Sequence, residues 1–322
     1  MCTLFETRDR MEACDYRSTG VPIGELFALT AAATWAVGSL IFAKIGERAS
    51  PGAMNLGKCL AAAIVLTTLR ALFSGSIGGV AWSNEAGLLL GVSGIVGLTI
   101  GDTAYFGAIV SLGVPRAILL LSSAPVFAAV GGRVFLNEQI GPRETFGILL
   151  TLGGIVLVVT GRKVAPKADE TSQNKSTLQR GVAFGMVAAV CQAVGSLLAR
   201  RGMKGGIDPL AASAIRLIAG VMGLVIVAAV IGQLRPWARD LKTHNNWLKV
   251  SGASLIGTVG GIWLSQLALA HCSSTGVATT LLAKSPIFAL PLAHFLGHEK
   301  IRVRAAAGTL AAIAGATLLS VK

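Results

Sequence analysis

The chain has 322 residues, 53% of them hydrophobic and only 13% charged, with a formal net charge of +13. A soluble domain carries roughly 25% charged residues, so the polar coat of a water-soluble protein is missing and lipid is the expected solvent. The basic excess sits in short gaps between apolar runs, as in RKVAPK (162–167) and ARR (199–201). That is how headgroup-facing loops distribute charge, and it argues against a nucleic-acid-binding face.

In chain order, residues 1–22 read as a polar tail, because MCTLFETRDRMEACDYRSTG lacks the basic start and apolar stretch of a secretory signal. A helix needs about 20 apolar residues to cross the hydrocarbon core. Spans are expected near 23–43, 52–73, 85–111, 114–136 and 142–161, with little more than Gly113 dividing the third from the fourth. A polar linker, RKVAPKADETSQNKSTLQR (162–180), follows. Five more spans are expected near 181–200, 208–232, 247–271, 274–297 and 302–321. Cys2, Cys14, Cys59, Cys191 and Cys272 show no metal-ligand spacing or disulfide framework; no cofactor or metal is expected.

The two halves repeat each other. LLSSAPVFAAVGGRVFLNEQI (120–140) matches LLAKSPIFALPLAHFLGHEKI (281–301) at seven of 21 positions, among them Pro125/Pro286 and Glu138/Glu299. GELFALTAAATWAVGSL (24–40) aligns with GVAFGMVAAVCQAVGSL (181–197), and Pro51 and Lys58 pair with Pro209 and Arg216. The chain therefore reads as a duplicated five-helix unit, 23–161 and 181–322. Five is odd, so the second unit must enter the membrane from the opposite side to the first. The expected fold is an all-α membrane protein of ten transmembrane helices in two inverted repeats, an architecture of secondary transporters that bind solute near the midplane.

Two five-helix units, each with a proline in the fourth helix and a Glu just after it, resemble tandem EamA domains of the drug/metabolite transporter superfamily. The resemblance spans Gly24 to Val321. It implies a ten-helix carrier working by alternating access, often an exporter of amino acids or other small metabolites, with both termini cytoplasmic. Lys and Arg are more numerous on the side this leaves outside, so the positive-inside rule favours the opposite placement. The compact loops suggest a bacterial inner membrane.

Ionisable groups within spans cost about 2.5–3.5 kcal/mol each at the helix centre, which makes each a functional candidate. Lys58 and Arg216 are shared by both halves; they either attract an anionic group or snorkel toward the interface. Asp102 stands in one half only, opposite Trp263, and Tyr105 follows on the same helical face. It is a candidate to carry a coupling proton, to bind a substrate amine, or to be the counter-ion of Lys58 or Lys284. Lys284, opposite Ser123 and two residues before Pro286, is a candidate carboxylate partner beside a proline helix break; Pro125 is the matching break. Trp35 and Gln192, and Tyr105 and Gln266, occupy equivalent positions and complete the candidate substrate site with Trp263. His271 and His294 read as packing residues, and Glu138 and Glu299 as loop anchors.

GVSG (91–94) resembles the serine motif of rhomboid proteases, yet Gly87, Gly91, Gly94 and Gly101 explain Ser93 better as part of a small-residue stripe for helix packing. HEKIR (298–302) lacks the second histidine of a zinc protease, and no GxxxxGK[ST] occurs. The expectation is a non-enzymatic transporter whose partners are a small solute, the bilayer and a coupling proton. A hydrophobic-cation exporter, using Asp102 with Trp35, Tyr105 and Trp263, is the alternative; a non-transporting membrane scaffold is a third class. Oligomeric state is not legible.

Overall fold

The computed structural model describes residues 23–74, 84–136, 141–160, 171–204, 206–272, 275–295 and 303–320. The polar tail, residue 161 and residues 162–170 of the linker lie outside them. Every secondary-structure element among the described residues is helical. In lipid each backbone N–H and C=O must be satisfied within its own segment, and helices do this.

The first half comprises α1 (Ile23–Gly46), α2 (Pro51–Ser74), α3 (Asn84–Leu112), α4 (Val114–Leu121), α5 (Ala124–Leu136) and α6 (Pro142–Thr160). The second comprises α7 (Thr171–Met203), α8 (Pro209–Val230), a short α9 (Leu234–Lys242), α10 (Asn246–His271), α11 (Thr275–Leu282), α12 (Ser285–Phe295) and α13 (Val303–Ser320). Among the described residues seven helices are long and apolar enough to cross a membrane, and shorter apolar stretches occupy Thr145–Val158, Val277–Leu292 and Ala306–Gly315. The seven long helices and the three shorter stretches overlap the ten stretches expected from the sequence, a pattern consistent with the expected repeat. Large apolar side chains such as Leu72, Leu88, Phe146 and Ile226 point outward, as lipid-facing residues must.

Local sequence explains most of the helix ends. Gly113, at φ 81°, separates α3 from α4 with a left-handed backbone that favours glycine. Pro51 and Pro209 open α2 and α8, where a missing N–H costs nothing. Helix α7 begins at Thr171, ten residues before the expected span, because the polar stretch up to Arg180 continues the helix beyond the apolar core.

Pro125 and Pro286 do not sit inside continuous fourth helices. The chain turns at Ser122–Ser123 and at Ala283–Lys284, and each proline is the second residue of a new helix. The carbonyl freed at Ala283 accepts a hydrogen bond from Ser122 Oγ at 2.8 Å. These two residues occupy equivalent places in the repeats, so the two breaks meet each other.

Packing between halves is reciprocal in the same way. Thr151 Oγ1 lies 3.4 Å from Ala312 O, again equivalent positions. A Cβ at Gly154 would fall 2.4 Å from Gly308 O, and one at Gly315 would fall 2.6 Å from Gly147 O, so α6 and α13 cross backbone to backbone. Helix α1 lies along α10, and α7 lies along α3, so the first helix of each half packs against the third helix of the other.

Asp208 caps α8, accepting from Ala211 N at 3.0 Å, and pairs with Arg70 of α2 at 3.3 Å. Its carboxylate is largely exposed, which screens the ion pair although Arg70 itself is buried, and the cap sets the lower bound on the effect. Asp208→Ala is expected to lower stability by about 1 kcal/mol, read as the shift of the unfolding midpoint in detergent. No shift would show the cap to be dispensable.

Candidate functional site

The third helix of each half changes its winding at the same depth. Residues Ile95–Gly101 of α3 and Leu255–Val259 of α10 are π-helical. Such segments leave carbonyls poorly matched within the helix and concentrate at functional sites. In α3 the Leu98 carbonyl is taken up by Asn55 Nδ2 at 2.7 Å, which also donates to Thr103 Oγ1 at 2.8 Å. Thr99 Oγ1 donates to Gly220 O at 3.0 Å. Asp102 follows directly on this tethered segment, which fixes where its carboxylate points.

Between the two halves lies a cavity of about 100 Å³. Its lining comes from α1, α2, α3, α4 and the start of α5 on one side and α7, α8, α10, α11 and the start of α12 on the other, together with the turns at Ser122 and Ala283. Seven of the sequence candidates line it: Trp35, Lys58, Asp102, Tyr105, Gln192, Arg216 and Gln266. Lys284 and Trp263 are not among the lining residues. Lys284 is half-buried in the α11–α12 turn, whose neighbours Ala283 and Ser285 face the cavity. Trp263 is 38% exposed, and Ile262 beside it lines the cavity instead. The π-helical run is seven residues long in α3 and five in α10; beyond the runs the equivalent residues Tyr105 and Gln266 both line the cavity.

Lys58 forms an ion pair and hydrogen bond with Asp102, their side chains 6% and 23% exposed. The Lys58 ammonium also lies 5.2 Å from the centre of the Phe106 ring, within cation–π range. Asp102 is thus the counter-ion of Lys58. Tyr105 is hydrogen-bonded to Ser39 at 2.8 Å. Arg216 is 5% exposed, and its Nε is buried with no hydrogen-bond partner. Gln266 is 1% exposed, and its Oε1 is likewise unpartnered. Helix α8 approaches α3 so closely that a Cβ at Gly94 would stand 2.3 Å from the Arg216 carbonyl.

Ser39, Ser122, Ser196, Thr258 and Thr279 add hydroxyls to the lining. Of these, Ser39 and Ser196 were legible in the repeated Ala-Val-Gly-Ser-Leu; the others carry no signal in a sequence rich in small residues. Ser93 of the GVSG stretch is fully buried and donates to Gly195 O at 2.6 Å, which joins α3 to α7. His271 Nδ1 bonds the Leu267 carbonyl at 2.9 Å at the exposed end of α10. The His294 side chain, Glu138 and Glu299 fall outside the described residues.

A bundle of apolar helices folded as two matching halves around a charged cavity defines a polytopic membrane protein of the transporter class. Residues 22–160 and 179–321 each match the EamA-like transporter family. The chain belongs to that family, a branch of the drug/metabolite transporter superfamily. It is 25% identical over 141 residues to "Uncharacterized transporter YyaM" of Bacillus subtilis (strain 168), an alignment covering 44% of this chain and 43% of that protein. The match thus spans less than half the length of this curated relative. One protein crystal structure shares the fold at TM-score 0.67 and 16% identity, over 92% of this chain and 95% of its own.

Proposed function

We propose that the protein is a secondary transporter of a small carboxylate-bearing metabolite such as an amino acid. Two inverted five-helix repeats would rock about the central cavity, exposing it to one side of the membrane and then the other. The observation that carries this reading is Arg216, a buried guanidinium facing the cavity with an unpartnered Nε. Lys58 and Asp102 cancel each other, so the lining holds one cation in excess. A charge is retained inside a membrane protein where it meets a solute, an ion or a partner charge. The apolar walls, including Phe42, Leu98 and Ile118, suit an apolar side chain on that solute.

Asp102 is our candidate for the coupling group. A proton on its carboxylate would dissolve the ion pair with Lys58 and so link cavity charge to the proton gradient. The hydrophobic-cation alternative is less well supported, since Asp102 is occupied by Lys58 and Trp263 stands outside the cavity lining.

Purified protein in liposomes, wild type beside Asp102→Asn, tests the reading with an amino-acid and metabolite panel. The expected result is solute-driven proton flux in the wild type, with the variant exchanging solute at a near-normal rate while flux falls at least tenfold. A variant that keeps full flux would remove Asp102 from coupling. A wild type that moves nothing in the panel would overturn the transport assignment.

A further inference from the structure

The cavity's polar groups are not distributed as the repeat is. In the first half four of the lining groups pair with each other: Lys58 holds Asp102, and Ser39 holds Tyr105. The equivalent positions in the second half carry Arg216, Trp263, Ser196 and Gln266. Trp263 replaces the carboxylate and stands outside the cavity lining, so Arg216 has no counter-ion from its own half. Gln266 replaces the tyrosine, and its buried Oε1 has no hydrogen bond. One half of the site is closed upon itself and the other is open.

Buried polar atoms without partners are few in folded proteins, and each needs a physical reason. Here a charged donor and a neutral acceptor are left open on α8 and α10, and both residues line one cavity. We infer that Arg216 and Gln266 form the recognition subsite for the solute's polar end: the guanidinium takes a carboxylate, and Gln266 Oε1 accepts from an N–H beside it. A planar guanidinium matches a carboxylate with two parallel hydrogen bonds, which an ammonium does not. Gly97 supports the arrangement, since a Cβ there would stand 3.2 Å from Arg216 Nη2. The glycine leaves the guanidinium its room. The Lys58–Asp102 pair then sets the cavity's shape and charge without selecting the solute. This inference rests on the transport reading above for its solute class, but it concerns binding and is tested separately.

The experiment measures binding by thermal stabilisation of the purified, detergent-solubilised full chain, since a ligand that binds the folded state raises the unfolding midpoint by an amount that grows with its concentration relative to Kd. The probes are L-leucine, L-methionine and L-phenylalanine. Each is set beside its analogue lacking the amino group and its analogue lacking the carboxylate. At least one amino acid should bind the wild type, its deaminated analogue at least tenfold more weakly, and its decarboxylated analogue at least a hundredfold more weakly. Arg216→Lys should weaken the amino acid at least tenfold while the protein remains folded. Gln266→Leu should bind amino acid and deaminated analogue alike, a loss of discrimination that simple destabilisation does not produce. Gly97→Ala, which crowds the guanidinium without removing it, should also weaken binding. The inference is overturned if no amino acid binds, if the amines bind as tightly, or if Gln266→Leu weakens both ligands equally. Binding without solute movement in liposomes would instead sink the transport reading and leave the subsite standing.

Discussion

Asp102→Ala is expected to cost about 3 kcal/mol of stability and to abolish gradient-driven transport. The substitution strands the Lys58 ammonium, 6% exposed and inside a helix bundle, and breaking one side of a buried pair costs ~3–5 kcal/mol. The lower figure applies because Asp102 keeps partial exposure to the cavity. Lys58→Met should cost less, since the carboxylate left behind can rehydrate from the cavity. The double variant Lys58→Met/Asp102→Leu should regain most of the lost stability, because replacing both charges with apolar groups removes the desolvation penalty as well as the attraction. Unfolding midpoints of the three variants decide the matter. A double variant no more stable than Asp102→Ala would show that Asp102 does something in the fold other than neutralise Lys58. A double variant that folds and still couples solute to protons would take Asp102 out of the coupling mechanism.

Gly38→Leu should be among the most damaging single changes outside the charged residues. Gly38 of α1 and Gly257 of α10 meet where a Cβ on the first would stand 2.8 Å from the Cα of the second. The clash is with backbone, so no rotamer relieves it, and both residues line the cavity. Overpacking of a tight contact costs ~1–3 kcal/mol, and here it also parts the helices that wall the site. We expect a loss of about 3 kcal/mol and solute uptake below a tenth of wild type. Gly91→Ala is the control: nothing lies within 4 Å of its Cβ, and exchanging a helical glycine for alanine gains ~0.5–1 kcal/mol. Equal melting temperatures for the two variants would contradict the close crossing of α1 and α10.

Span positions and the duplicated halves were legible because both are written in composition and spacing, which lipid constrains directly. Seven of the nine candidate residues line the cavity for a related reason: a polar side chain within an apolar run has to face something other than lipid. Backbone geometry is less legible. Lys284 looked like a cavity group because it sits beside a proline break, but the chain turns there and presents Ala283 and Ser285 instead. Equivalence to Asp102 makes Trp263 a candidate, yet Trp263 is 38% exposed and Ile262 beside it lines the cavity. Nothing in GLTIGD or LIGTVG announces a π-helix. The prolines were placed correctly as breaks, but as openers of new helices and not as kinks within old ones.

The reciprocal contact of α6 and α13 is the geometry of a twofold homodimer interface, in which residue i meets j and the counterpart of i meets the counterpart of j. Here the two subunits are one polypeptide. A homodimer of such five-helix units would be obliged to carry two aspartates at the Asp102 position or none, and two lysines or two arginines opposite them. Fusion lifts that obligation. Each substitution falls on one side of the axis alone, so one half can pair its charges, as Lys58 and Asp102 do, while the other keeps a charge without a partner from its own half. A solute with two different ends has no symmetry, and a covalently joined pair is the simplest scaffold that can match it without giving up the twofold framework that moves it.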